Sequence, residues 1–318
     1  MLLVPFVITH AFAGGSVTNA KSNAPPFLIR SGVAPIDVHM HAIDPIVWNE
    51  KFPREKHEKM FGHQCMDAEE HLAMTIQAMD RFGIQKGILQ GHLHLVRQWV
   101  ERYPNRFIPA FTPEFGDTNL PPVADPKFLA LDHEALAQKF GRDLDSGKYK
   151  LLGELTHPFS GFPLNWKPLY PYLRVAEKHG VPALFHTGDP MESTLANLGA
   201  NSNPSLLADV AREFPQLKIV ACKGGLENNE KLIGVMTRYT NVWADVSVLN
   251  WENDEDFQSA IQRFRKAGLM DRVLFGSDQC LWPELIGRAV RNTDAFLTKE
   301  EATKVFRLNA CRLLGLSP

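Results

Sequence analysis

The sequence predicts an α/β fold, a single-domain (β/α)8 barrel of the TIM type, and three observations carry that reading. Eight short β-rich apolar runs recur along the 318 residues. Helical patterns separate them. Eight such strand–helix units in about 280 residues fit a barrel that usually needs about 250.

The runs are "PIDVHMH" (35–41), "KGILQG" (86–91), "RFIPAFT" (106–112), "KLLGELT" (150–156), "VPALFHTG" (181–188), "LKIVACKGG" (217–225), "NVWADVSV" (241–248) and "RVLFGSD" (272–278). Most are continuous rather than alternating, as strands buried on both faces of a parallel sheet should be. After the first run, Leu72, Ile76, Met79 and Phe82 recur at helical spacing, with Asp67 as N-cap and Gly83 as stop. "LYPYLRVAEKHG" leads into the fifth run and ends in Lys, His and Gly, as a helix C-terminus does. Before the sixth, Asn203 and Pro204 open a helix carrying Leu206, Leu207, Val210 and Phe214. After the eighth, Thr298 and Glu301 form a capping box. A doubly wound open sheet shares this alternation, but it does not require site residues at the ends of so many strands. Two Pro-containing segments, 116–132 and 157–168, are expected as rim loops after strands three and four, where barrel enzymes hold substrate.

Composition narrows the function. Apolar residues make up 44% and charged residues 22%, and the net charge is −2. Nothing here points to nucleic acid or to an acidic membrane surface, so the expected partner is a small-molecule substrate. A homo-oligomer is compatible with the sequence and not required by it. Cys65, Cys222, Cys280 and Cys311 form no CxxC pair and no disulfide framework. Cys65 and Cys311 are expected as reduced, buried thiols.

Residues 1–34 stand outside the barrel, which is assigned to 35–318. "MLLVPFVITHAFAGG" is apolar and ends in Ala11-Phe12-Ala13, which resembles a signal-peptidase site. It lacks a basic n-region, His10 interrupts it, and it is too short to span a membrane. A cleaved export signal and a plain leader both stay open, and with them a periplasmic or secreted as against a cytoplasmic location. Residues 14–34, rich in Gly, Ser, Asn and Pro, are expected as a flexible leader.

Polar residues then gather at strand ends. His39 and His41 end strand one, Glu154 lies in strand four, His186 ends strand five and Asp278 ends strand eight. In a barrel these ends converge on one mouth. Buried carboxylates and imidazoles need partners, and a divalent cation satisfies them together: zinc, or manganese or iron. The two histidines of His39-x-His41 share one side of a strand. Spacing alone is weak evidence, since a chain with 12 histidines in 318 residues holds about half such a pair by chance. A second pair, His92 and His94, follows strand two and reads as rim or first-turn histidines or as contacts for an anionic substrate.

This set resembles the amidohydrolase superfamily, and more closely its amidohydrolase-2 branch. "IDVHMHA", "VPALFHTGD", "FPQLKIVACKGG", "RVLFGSD" and "NACRLLGL" carry the resemblance across most of 35–315. It implies a barrel binding one or two divalent metals, with His39, His41, His186 and Asp278 as ligands and Asp278 also moving the proton of the attacking water. Two features depart from or refine the family pattern. The strand-six histidine is replaced by Cys222, either a substitute thiolate ligand or a packing residue. Lys223 beside it could supply positive charge, but strand alternation turns it away from the mouth. Glu154 resembles the strand-four carboxylate that bridges two metals in some relatives; its other reading is a structural carboxylate. One metal is the expectation, with a second left open. Cys280 reads as local packing or as facing the pocket. Phe159, Phe162, Trp166 and Trp282 read as pocket wall or as loop anchors.

The implied activity is a metal-dependent hydrolase attacking an ester, lactone or amide carbonyl. The alternative is a non-hydrolytic decarboxylase of an aromatic or enoic acid. A binding barrel without turnover is a third reading, kept open by Cys222. One related branch hydrolyses lactones without metal.

Overall fold

A computed structural model describes residues 27–46, 63, 65, 67–113, 131–188 and 198–318. The proposed leader up to residue 26 and most of the 116–132 loop lie outside the described residues.

All eight expected strands form: β1 (Ile36–Ala42), β2 (Lys86–Gly91), β3 (Phe107–Phe111), β4 (Leu151–Leu155), β5 (Ala183–Phe185), β6 (Ile219–Ala221), β7 (Val242–Asp245) and β8 (Val273–Leu274). They pair in parallel, each with the next in sequence. Residues just after β8 meet β1, through Val38 N–H to Phe275 O (2.9 Å) and Asp278 N–H to His39 O (2.8 Å). One main helix follows each strand: α1 (Ala68–Arg81), α2 (Leu93–Arg102), α3 (His133–Asp145), α4 (Tyr170–Lys178), α5 (Leu207–Glu213), α6 (Asn229–Arg238), α7 (Asp254–Lys266) and α8 (Glu284–Phe296). This is the (β/α)8 barrel.

Local chemistry sets the helix ends as expected. The Asp67 carboxylate accepts from Glu70 N–H, the Asn203 side chain accepts from Ser205 N–H, and Thr298 and Glu301 cap each other reciprocally.

Two apolar clusters divide the core. One takes side chains from every strand, among them Ile36, Val38, Ile88, Ala110, Leu151, Leu184, Val220 and Leu274, but none from α1–α8. In a sheet whose ends meet, such a cluster fills the interior. Ala310, Cys311 and Leu313 of the C-terminal helix join it. The larger cluster packs the outer strand faces, including Met40, Leu89, Leu152 and Phe185, against the helices.

Two irregularities aim the site. Strict alternation would put Val38 and Met40 on one side, yet Val38 is interior and Met40 is outer. The β1–β2 register shifts between Asp37 and Met40, and His39 and His41 enter the mouth together. In β4 the register shifts between Leu152 and Leu155, around Gly153. Gly153 has φ +105°, and a Cβ there would collide with the Leu184 carbonyl oxygen. Only glycine fits, and Glu154 turns inward while Leu152 and Leu155 face outward.

Candidate metal centre at the barrel mouth

Lone-pair atoms of His39, His41 and Asp278 face one another at the ends of β1 and β8, and Glu154 of β4 approaches the two imidazoles. His39 Nε2 lies 3.1 Å from His41 Nε2. Asp278 Oδ1 is 3.0 Å from His41 Nε2 and 3.6 Å from His39 Nε2. Glu154 Oε2 is 3.3 Å from His39 Nε2 and 3.6 Å from His41 Nε2. All four side chains are buried.

Donors 2.0–2.2 Å from one ion at angles of about 90–110° lie roughly 2.8–3.6 Å apart. The three distances among His39, His41 and Asp278 fall within that range, so these residues fit one divalent cation, with Glu154 Oε2 in reach of both imidazoles. The donor set, two imidazoles and two carboxylates, suits zinc, manganese or iron.

Neighbours fix the orientation. Asp245, at the end of β7, takes the Nδ1–H of His39 at 3.1 Å, which leaves the Nε2 lone pair facing inward. The same carboxylate accepts from Lys223 N–H (3.0 Å), Ser247 N–H (2.9 Å) and Ser247 Oγ (2.5 Å). Gln279 grips the His41 backbone, accepting from its N–H at 3.0 Å and donating to its C=O at 2.9 Å. Asp37 Oδ1 accepts from His39 N–H and Ser277 N–H, each at 3.0 Å, and ties β1 to the end of β8. Gly276 keeps this junction open: a Cβ there would lie 2.8 Å from the His39 Cβ. Sequence reasoning does not single out Asp245, Gln279 or Asp37. Asp245 carries the same signal as Asp278, a carboxylate closing an apolar run.

His186 stands beside the four rather than among them. Its Nδ1 bonds Glu154 Oε1 at 3.0 Å, and its Nε2 is buried with no hydrogen-bond partner among the described residues. Cys222 lies with His39 and Glu154 in a second metal-capable group and also belongs to the interior cluster. His92 and His94 fall outside both groups; their rings stack at 5.9 Å, and His92 occupies the position that precedes α2.

Lys223 departs from the sequence reading. Alternation turns it away from the mouth, yet its Nζ lies 2.7 Å from Asp278 Oδ2 and 3.7 Å from Glu154 Oε1. Alternation fails as a guide because β6 ends at Ala221. Lys223 adopts φ +65°, outside the strand region, and its backbone N–H is anchored on Asp245. Asp278 is also left-handed, at φ +47°. Two such residues cost on the order of 1–3 kcal/mol each and persist only where surroundings enforce them.

Cys280 faces the site: its thiol lies 3.1 Å from Asp278 Oδ1. Phe159 packs on the His186 ring at 4.5 Å, so it walls the site. Phe162 stacks on Trp166 at 4.3 Å, and Trp166 and Trp282 pack on the outer core, as loop anchors do. Cys65 and Cys311 are buried free thiols.

The electrostatics follow from this packing. Burial opposes charge on Asp278 and Glu154, but the Lys223 ammonium and His39 outweigh it and hold both carboxyls well below their usual range. Burial likewise opposes charge on His39, but Asp278, Cys222, Glu154 and Asp245 raise its pKa well above the ordinary value. A metal bound here would displace that proton. Burial, with Asp245 nearby, pushes the Cys222 thiol well up, so it is neutral. Burial and the Lys223 charge lower His186.

No helix among the described residues is long and apolar enough to cross a membrane. No curated protein sequence matches the chain. Several solved structures share its fold. An uncharacterized TIM-barrel protein from Bordetella bronchiseptica is 19% identical, with a TM-score of 0.67 over 89% of this chain and 99% of that one. A probable 2-pyrone-4,6-dicarboxylic acid hydrolase from Acinetobacter baumannii, with citric acid bound, is 16% identical, with a TM-score of 0.58 over 89% and 100%. A 5-carboxyvanillate decarboxylase from Novosphingobium aromaticivorans, complexed with manganese and a nitrobenzoic acid, is 17% identical, with a TM-score of 0.60 over 90% and 97%. The amidohydrolase family model matches residues 36–316, nearly the whole barrel. The chain belongs to the amidohydrolase-2 family of enzymes.

Proposed function

We propose that the chain is a metal-dependent hydrolase that attacks an ester, lactone or amide carbonyl of a small organic substrate. The convergence of His39 Nε2, His41 Nε2 and Asp278 Oδ1 within 3.0–3.6 Å, with Glu154 Oε2 3.3 and 3.6 Å from the two imidazoles, carries the reading. These four would hold one divalent ion, with zinc the first choice and manganese or iron close behind. The manganese complex of the Novosphingobium decarboxylase is consistent with that range. His186 Nε2 and the Cys222 thiol are the remaining donors.

A divalent ion in that place supplies Lewis acidity, lowering the pKa of a water toward about 7 and polarising a carbonyl. The chain does the rest. Asp278, held ionised by the Lys223 ammonium on Oδ2, accepts a proton from the attacking water at that oxygen, Oδ1 being the one that would hold the ion. Water adds to the carbonyl carbon, the bond to the leaving oxygen or nitrogen breaks, and Asp278 returns the proton to that atom. Asp245 keeps His39 in the tautomer with Nε2 free. Phe159, packed on the His186 ring, supplies an apolar wall beside the site.

A decarboxylase of an aromatic or enoic acid is the second reading. The aromatic wall and the buried Lys223 ammonium suit a planar anionic substrate. Cys222, standing where the family's decarboxylases generally carry the strand-six histidine, favours hydrolysis.

The test is a substrate panel on metal-reconstituted protein. Lactones, esters and amides are followed by proton release, and hydroxybenzoates and related acids by carbon dioxide release. Turnover in the first set that Asp278→Asn abolishes is the expected result. Carbon dioxide release with no hydrolysis establishes the second reading instead.

A further inference from the structure

We propose that the Lys223 ammonium occupies the second-cation position of the centre, so that the mouth takes one divalent ion and admits another only when a neutral side chain replaces Lys223. This rests on the metal reading above and adds a positioning role for a residue outside the ligand set.

The two carboxylates divide their oxygens in the same way. Glu154 Oε2 and Asp278 Oδ1 face the imidazole pair. Glu154 Oε1 and Asp278 Oδ2 face Lys223 Nζ, at 3.7 and 2.7 Å. A second divalent ion would need oxygens on that far side, and His186 stands there too, its Nδ1 on Glu154 Oε1 and its Nε2 buried with no partner among the described residues. The ammonium therefore sits among groups that would otherwise gather a second metal.

Charge balance agrees. Asp245, Glu154 and Asp278 bring three negative charges into a buried site. One divalent ion and one ammonium cancel them. A second divalent ion beside the ammonium would leave an excess of two positive charges in a site screened from water, which is strongly unfavourable.

The backbone is built for this placement. Lys223 adopts φ +65°, a region that side-chain-bearing residues rarely enter. Asp245 holds it there through the Lys223 N–H at 3.0 Å and in the same stroke orients His39. An extended Lys223 would follow the strand instead. The side chain is 13% exposed, so the ammonium is committed to the carboxylates and not to solvent.

The experiment is a manganese titration of the full chain at pH 8. Bound metal is counted by mass spectrometry after desalting, and ion–ion coupling is read by electron paramagnetic resonance. Wild type, Lys223→Arg, Lys223→Gln and Lys223→His are compared, with circular dichroism reporting the fold. One equivalent in wild type and Lys223→Arg is expected. Two equivalents with a spin-coupled spectrum are expected in Lys223→His, and in Lys223→Gln at higher manganese. Two equivalents in wild type overturn the proposal. So does one equivalent in whichever neutral variants fold. No equivalent in wild type overturns the metal reading itself, so the two failures are distinguishable.

Discussion

Asp245→Asn is the most instructive single substitution, because it changes one atom type and leaves the shape alone. Asp245 is fully buried, and its Oδ2 takes the His39 Nδ1–H at 3.1 Å. Its Oδ1 is fixed by Lys223 N–H and Ser247 N–H, so an asparagine oxygen stays on that side. The introduced amide N–H then meets His39 Nδ1–H, and two donors cannot face each other in a buried site. His39 must move its proton to Nε2, the atom that faces His41 and Asp278. Losing an orienting partner of this kind typically weakens metal binding 10–100-fold, or about 1.4–2.7 kcal/mol. The upper end is expected here because the wrong tautomer blocks the ligand atom outright. Asp245→Ala should be the milder change, since Ser247 Oγ already lies 3.1 Å from His39 Nδ1 and can accept the hydrogen bond from its N–H. Competition with a chromophoric chelator measures both. If a folded Asp245→Asn binds metal within twofold of wild type, or better than Asp245→Ala, then Asp245 does not set the His39 tautomer.

Three further outcomes are expected. Gly153→Ala places a Cβ against the Leu184 carbonyl at φ +105°, which should cost about 1–3 kcal/mol and show as a lowered urea midpoint with weaker metal binding; an unchanged midpoint would contradict the β4 geometry. Asp278→Asn keeps the oxygen near His41 but loses the proton acceptor, so kcat should fall at least about 100-fold while KM changes little; a change in KM alone would place Asp278 in binding only. Away from the site, Arg265 forks onto Glu301 at 2.6 and 2.8 Å and, with the Thr298 cap, holds the carboxyl at about 2 against 4.5. The folded value is depressed, so this stabilisation is complete above pH 4.5 and fades as pH falls toward 2. Arg265 is 41% exposed, and screening reduces the contribution to about 1 kcal/mol. The stability gap between wild type and Glu301→Gln should therefore shrink across that window; a gap independent of pH refutes the ion-pair origin.

Much of this architecture was legible in the sequence. The strands could be read because each is buried on both faces, which makes its apolar run continuous. Asp67, Asn203 and Thr298 could be read because a cap depends only on its own neighbours. The barrel then brought His39, His41, Glu154 and Asp278 together. What escaped was set by backbone departures from ideal period. For Lys223 the alternation stops at Ala221, just before the turn that carries the side chain inward. The inward turn of Glu154 depends on the bulge at Gly153, visible in sequence only as a glycine. Cys280 reaches Asp278 through a left-handed backbone at φ +41° that no pattern of residue types announces. Asp245 needed no such geometry; the strand-end rule that found Asp278 applies to it equally.

Anomalous diffraction from crystals of manganese-reconstituted protein asks whether the mouth holds one divalent ion between the two strand-one imidazoles and the strand-eight carboxylate. One anomalous peak is expected within about 2.0–2.3 Å of His39 Nε2, His41 Nε2 and Asp278 Oδ1. A fully reconstituted crystal with no peak between those three atoms would contradict that placement.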